Sequence, residues 1–490
     1  MAGPSIFRGA ALATAAFFLL IGAQAAQADD LQFAEIFSDH AVLQRDTPLV
    51  LWGAAAPGAK LTLSFAGQTL TTQADDTGQW RLAATAQPAG GPFDLKLSDD
   101  AGHTVDLTDI MVGDVWLCGG QSNMDLSTGA AQNAWNEINA SANPLLRFAR
   151  VDDVASPIPR ATLKTRVAWQ VAGPQTTGSS SAACYYMSKA LQASEKVAIG
   201  FVNDSWGGTP IEGWIAEPTL RKLKLFDARL DLLDSYALAP DPTAPALAAS
   251  VDPPWKSGTS DAALYNAMIA PLADYRFKGV AWYQGESNWK APEQYQSLLT
   301  TLIADWRRTF KDPALPFVVV QLPNFGSPSS QGAWPQLREA ERQVSLNTPG
   351  VGLAVTLDIG DRFDIHPGEK AQVGARMALA ARKLVYHEAV TVSPSPVQVD
   401  RRGADLVISF ADTAGGMKTY SSDQAIGFEV CDAAKTCHFA VAKPEQDAVV
   451  LVGANTPEAR SVRYAWFDAP FTNLFGGTDL PVPTFWMDVK

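Results

Sequence analysis

The chain is short of positive charge, of histidine and of long apolar runs. Lysine and arginine number 38 against 51 aspartate and glutamate, a formal charge of −13. Nucleic acid binding needs concentrated positive charge, so no nucleic-acid partner is expected, and the acidity serves solubility. The five histidines are scattered, no HExxH occurs and no cysteine pair has finger spacing, so neither a metal nor a cofactor is expected. In residues 1–28, Arg8, the apolar run Ala10 to Ile21 and the small-residue pattern Ala26-Gln27-Ala28 read as a secretory signal peptide whose apolar run is too short to span a membrane. An exported chain, periplasmic or extracellular, cleaved near Ala28 and without a membrane span in its mature form, is the expectation. Cysteine is scarce too. Cys431 and Cys437 have a hairpin-like spacing and are expected to pair, whereas Cys118 and Cys184 either pair or stay buried and reduced.

What is present suits a multi-domain globular protein, with 490 residues, 47% hydrophobic and 18% charged. From 29 to 108, short period-two runs separated by turns such as Ala56-Pro57-Gly58 predict an N-terminal β-sandwich. From 109 to 388, apolar runs at Ile110 to Leu117, Val197 to Val202, Val280 to Tyr283, Phe317 to Leu322 and Val351 to Leu357 alternate with helix-like segments at Ser181 to Ser194, Pro292 to Thr309, Pro335 to Ser345 and Glu369 to His387. That pattern predicts an α/β domain with a parallel sheet covered on both faces. Between its second and third strands, Ala237 to Pro254 reads as an irregular Pro- and Ala-rich loop. From 389 to 490 period-two patterning returns and predicts a C-terminal β-sandwich.

Ligands of such sheets bind beyond the carboxyl ends of the strands. Four post-strand loops collect polar, glycine-rich or ionisable residues: Cys118 to Met124, Asn203 to Gly208, Gln284 to Asn288 and Asp358 to Pro367. In the first, an apolar strand breaks at Cys118-Gly119-Gly120 and a helix can begin, which would hold the Ser122 hydroxyl above the sheet beside free N–H groups. Ser122 is the candidate nucleophile. A serine nucleophile needs a base, and histidine is the usual one. His40 and His103 belong to the N-terminal β region, His387 to a helix end and His438 to the last region, which leaves His366, with Pro367 placed to start the next helix. Asp364 is the leading candidate to orient His366, with Asp361, Asp358 and Glu286 as alternatives. Negative charge building on a carbonyl oxygen needs waiting donors: the N–H groups of Ser122 and Gly207, and a side-chain amide from Gln284 or Asn288. Gln121, Trp206 and Glu286 are the candidates to contact substrate. Trp135, Trp206, Trp214, Trp282, Tyr283 and Trp289 flank the loops and would suit a sugar.

These stretches resemble the SGNH hydrolases, in the branch of sialate O-acetylesterases and related bacterial carbohydrate acetylesterases. The matching residues are Phe37 to Arg45, Gly120-Gln121-Ser122-Asn123-Met124, Trp206-Gly207-Gly208-Thr209, Tyr265 to Pro271, Trp282 to Asn288 and Asp364-Ile365-His366-Pro367. The resemblance implies a three-layer α/β/α hydrolase domain that removes acetyl groups from sugars with Ser122 and His366 and without a metal. The superfamily's acid usually lies three residues before the histidine, where this chain has Phe363, so a Ser–His dyad stays open beside Asp364. The superfamily block with asparagine two residues after glycine is one residue longer here, at Gly285-Glu286-Ser287-Asn288. The combined expectation is an exported serine esterase acting on acetylated carbohydrate, either sialic acid or plant poly- and oligosaccharide. A non-catalytic carbohydrate-binding protein on a hydrolase scaffold and a short-chain lipid or aryl esterase are the alternatives.

Overall fold

The computed structural model describes residues 31–237, 260–326 and 332–490. The expected signal peptide lies outside the described residues, as does nearly all of the stretch Ala237 to Pro254.

Seven strands carry the site, in the spatial order Gln170–Ala172, Asn143–Arg150, Ile199–Ser205, Thr104–Gly120, Gly279–Tyr283, Phe317–Gln321 and Val351–Val355. From Asn143–Arg150 onward all neighbours run parallel. Gln170–Ala172 is antiparallel to its neighbour, so the sheet is mixed rather than purely parallel. The strand Asn143–Arg150 was absent from the sequence reading because Arg147 interrupts its apolar run. Arg147 is nevertheless buried, with its guanidinium spent on the Asp109 carboxylate at 2.9 Å and the His40 carbonyl at 3.1 Å.

Helices Ala182–Glu195, Pro292–Thr309, Ala333–Asn347 and Lys370–Leu384 lie between or after these strands. Pro292 occupies the first helical position, where its missing N–H costs nothing. Tyr295, Leu298, Leu299, Leu302, Ile303 and Trp306 then form one buried face at helical spacing. Successive residues of a strand point to opposite faces. Accordingly Cys118 forms a disulfide with Cys184 of helix Ala182–Glu195, while a Cβ on its neighbour Gly119 would lie 2.9 Å from Trp306 of helix Pro292–Thr309.

The strand Thr104–Gly120 is 17 residues long. Its first half pairs with Gly90–Asp99 and Val42–Gln44, and its second half is the middle of the α/β sheet. Residue 108, the expected end of the N-terminal region, therefore falls inside a continuous strand. Both regions share one 11-stranded sheet and one apolar core. A three-stranded sheet of Gln32–Phe33, Leu49–Ala54 and Gln79–Ala84 completes the N-terminal part.

Beyond residue 388 the chain forms two four-stranded sheets and one two-stranded sheet, packed on a second core that takes in Val355 and Leu357 from the end of the α/β sheet. The disulfide Cys431–Cys437 closes the hairpin of Phe428–Cys431 and Cys437–Phe439. Arg338 links this region to helix Ala333–Asn347. It is fully buried and bonds Thr484 Oγ1 at 2.8 Å and the carbonyls of Ala465, Phe467 and Asp468.

Candidate active site

The central strand ends where only glycine fits. At Gly120 φ is +142°, and a Cβ there would lie 2.1 Å from the Tyr283 carbonyl oxygen. Next to it the Gln121 N–H donates to that same oxygen at 3.1 Å. The chain then turns into the short helix Ser122–Asp125, whose N–H groups at Met124 and Asp125 both reach the Gln121 carbonyl. Among the described residues nothing accepts the N–H of Ser122. The N–H of Gly207 is equally free, and a Cβ on Gly207 would sit 3.4 Å from Ser122 Cβ. Two N–H groups with no acceptor among the described residues thus belong to the partly exposed serine itself and to the glycine packed against it.

Ser122 faces a cleft of about 580 Å³ together with Gln121, Gly207, Gly208, Glu286, Ser287, Trp289, Phe325, Trp334, Ile365 and His366. The expected serine, histidine and first glycine are therefore brought to one cavity. Among the described residues no hydrogen bond joins the Ser122 hydroxyl to the His366 ring.

The loop that carries His366 is ordered by carboxylates. Asp361 Oδ1 accepts the N–H groups of Phe363 at 2.7 Å and Asp364 at 3.2 Å, and Asp364 Oδ1 accepts the His366 backbone N–H at 2.8 Å. Asp358 is occupied elsewhere, in a two-pronged ion pair with Arg376 at 2.6 and 2.8 Å. Of the aspartates considered, Asp364 is the one bonded to the histidine residue, through the main chain. Pro367 does not begin the following helix, which starts at Lys370 after the Gly368 carbonyl has accepted the Lys370 N–H.

Gln284 and Asn288 lie behind the cleft rather than on its wall. Gln284 Nε2 donates to Asn288 Oδ1 at 2.8 Å, Gln121 Oε1 at 3.1 Å and the Thr209 carbonyl at 3.2 Å, while Asn288 Nδ2 donates to Glu212 at 2.8 Å. Both amides are spent on holding three loops together. Gln121 and Glu286 reach the cleft, but Trp206 does not line it. Trp214, Trp282 and Tyr283 are fully buried, and Trp282 packs edge-on against Trp214 and Trp306, so these rings are core. Trp135 is 79% exposed and away from the cleft wall.

Two groups at the site escaped the sequence reading. Asn123 Nδ2 donates to Glu286 Oε1 at 2.6 Å and to the Ile365 carbonyl at 2.8 Å, and its Oδ1 accepts from Lys370 Nζ at 2.6 Å. Burial pulls the Lys370 ammonium down to about 8, opposed by the charges of Glu286 and Asp364. Burial likewise pushes the Glu286 carboxyl above the usual glutamate range, offset in part by the Asn123 N–H. A lysine in the first helical turn opposes the helix dipole, and that mismatch was the available signal for Lys370. Among the described residues no group of three or more His, Cys, Asp or Glu could hold a metal ion, and no helix is long and apolar enough to cross a membrane.

A mixed α/β sheet with serine and histidine converging beyond its strand ends is a hydrolase arrangement. The comparisons with known proteins narrow the class. A family model for carbohydrate esterase, sialic acid-specific acetylesterase, matches residues 246–383. The chain is similar to a carbohydrate acetylesterase from Xanthomonas citri, with 34% identity and a TM-score of 0.82 over 93% of this chain and 99% of that one. It is also 28% identical to the sialate O-acetylesterase of Mus musculus over 90% of each chain, and 29% identical to that of Homo sapiens over 76% of this chain and 74% of the other. The chain belongs to the sialate O-acetylesterase and bacterial carbohydrate acetylesterase family, and it is a carbohydrate O-acetylesterase.

Proposed function

We propose that the protein is an exported serine esterase that removes O-acetyl groups from sugars through an acetyl-enzyme. Ser122 is the nucleophile in this reading. Its support is the cluster just described: one hydroxyl just beyond the end of the central strand, Gly207 packed against Ser122, and His366 on the same cleft wall. His366 takes the Ser122 proton as Oγ attacks the acetyl carbonyl, the oxyanion is held by the N–H groups of Ser122 and Gly207, and His366 returns the proton to the departing sugar hydroxyl. Water then attacks the acetyl-enzyme by the same route and releases acetate. Asp364 is the proposed partner of the imidazolium, on the same loop, where its carboxylate accepts the His366 main-chain N–H. Gln284 and Asn288 serve the oxyanion indirectly, by fixing the loops that carry Gly207 and Gln121.

Residues 109–388 form a three-layer α/β/α unit, supported by the opposite facing of Cys118 and Gly119 toward two different helices. The N- and C-terminal regions act as β-sandwiches that brace it, and residues 1–28 direct export. Release of acetate from a panel of defined acetylated glycans, including sialic acid and plant oligosaccharides, tests the function and identifies the sugar. Wild-type-like turnover by a folded Ser122→Ala protein would sink it.

A further inference from the structure

A second cleft of about 580 Å³ lies on the C-terminal region, and Arg362, Phe439, Phe467 and Phe471 line it. Its rings are unusually open to solvent: Phe471 is 77% exposed and Phe439 70%, and Phe363, next to Arg362, is 87% exposed. Exposed aromatic surface that is not scattered marks a binding face. The rings of Phe439 and Phe467 stack on one another, 18° apart with centroids at 5.8 Å, and both stay exposed to solvent.

This face is held rigidly. Phe439 ends a hairpin closed by the disulfide Cys431–Cys437, and the carbonyls of Phe467 and Asp468 accept from the buried Arg338 guanidinium. It also adjoins the Ser122 cleft. Phe325 lines the Ser122 cleft and its neighbour Gly326 lines the second one. Between the two, Phe325 N–H donates to the Asp468 carbonyl at 3.1 Å and Gly326 N–H to the Arg362 carbonyl at 3.0 Å. A Cβ at Gly326 would lie 3.0 Å from Arg362 Cγ, so Arg362 packs closely against this backbone. Arg362 also belongs to the loop that delivers His366.

We propose that this aromatic face binds the glycan chain flanking the acetylated sugar, so that the enzyme acts on polysaccharide rather than on a free monosaccharide. The inference rests on the carbohydrate-esterase reading. Flat phenyl faces suit the C–H faces of pyranose rings, and the Arg362 guanidinium supplies a donor for ring hydroxyls. Adjacency to the Ser122 cleft, through the neighbours Phe325 and Gly326, favours the substrate's own chain over a second copy of the protein as occupant.

The test uses the full chain, with Phe439→Ala, Phe471→Ala and the double variant, all at exposed positions. The double variant is expected to raise KM for chemically acetylated xylan and chemically acetylated mannan about tenfold, with kcat and the hydrolysis of p-nitrophenyl acetate unchanged. The Ser122→Ala protein should be retarded in gels containing these polysaccharides, and the added phenylalanine substitutions should abolish the retardation. Unchanged KM on both polymers, or no retardation while p-nitrophenyl acetate is still cleaved, overturns the proposal and leaves the esterase reading standing. Absence of hydrolysis on every ester would instead remove the esterase reading. A wild-type dimer that the double variant converts to a monomer would identify the face as a self-association surface and also overturn the proposal.

Discussion

The side chain of Asn123 donates to the carbonyl of Ile365 at 2.8 Å, tying the residue after Ser122 to the residue before His366. Ser122 and His366, the proposed nucleophile and base, sit on loops that follow different strands, far apart in sequence. This bond, with Lys370 on the other side of the same amide, sets their relative position. Asn123→Ala should lower kcat about tenfold or more, because small misplacements of catalytic groups are costly, and should remove roughly 1–3 kcal/mol of stability by leaving buried partners unpaired. Steady-state kinetics beside urea unfolding would separate the two effects.

The buried ammonium of Lys370 gives a pH signature. Its folded value, about 8, lies below the ordinary 10.5, so between those values the unfolded chain holds more protons than the folded one. Stability contributed by this group therefore rises with pH through that window and is lowest below pH 8. The difference in unfolding free energy between wild type and Lys370→Met should increase from about pH 8 to pH 10, by at most roughly 1.4 kcal/mol per pH unit. A difference that is flat over this range would mean the lysine is not perturbed by burial.

Glycine substitutions should divide fold from chemistry. Gly120→Ala places a Cβ 2.1 Å from the Tyr283 carbonyl oxygen at a φ of +142°, and should cost about 2–4 kcal/mol in thermal or denaturant unfolding. Gly207→Ala puts a methyl 3.4 Å from Ser122 Cβ on an exposed loop. Its expected effect is a kcat loss of about tenfold with little change in Tm.

Whether the proposed Ser122–His366 pair has an acid partner can be tested by charge removal. Asn at position 364 keeps an oxygen able to accept the His366 N–H that Asp364 now holds, but loses the charge. Asp364→Asn should reduce kcat by about a hundredfold or more, while Asp358→Asn, which weakens the ion pair to Arg376, should act mainly on stability. Near-normal kcat for Asp364→Asn would favour a Ser–His dyad.

Much of this site was legible because parallel sheets gather their ligands at one end, and four post-strand loops carried the appropriate residues. Two physical effects hid the rest. Lys370, Asn123 and Glu286 come together only through long-range packing, of which the sequence carries no more than the mismatch of a lysine in a first helical turn, and Arg147 disguised a core strand because its charge is neutralised by a distant aspartate. Aromatic residues misled in both directions. Trp214 and Trp282 looked like a sugar platform but fill the core, whereas Phe325 and Trp334 line the cleft. Phe325 follows the strand Phe317–Gln321, whose carboxyl end is not among the four post-strand loops that stand out in the sequence.

Acetate release from an acetylated sugar, measured for wild type and for a Ser122→Ala protein of native circular dichroism, tests the central claim most directly. Steady turnover by the wild type and a loss of at least about a thousandfold in the variant are expected. Turnover by Ser122→Ala within a few fold of wild type would contradict it.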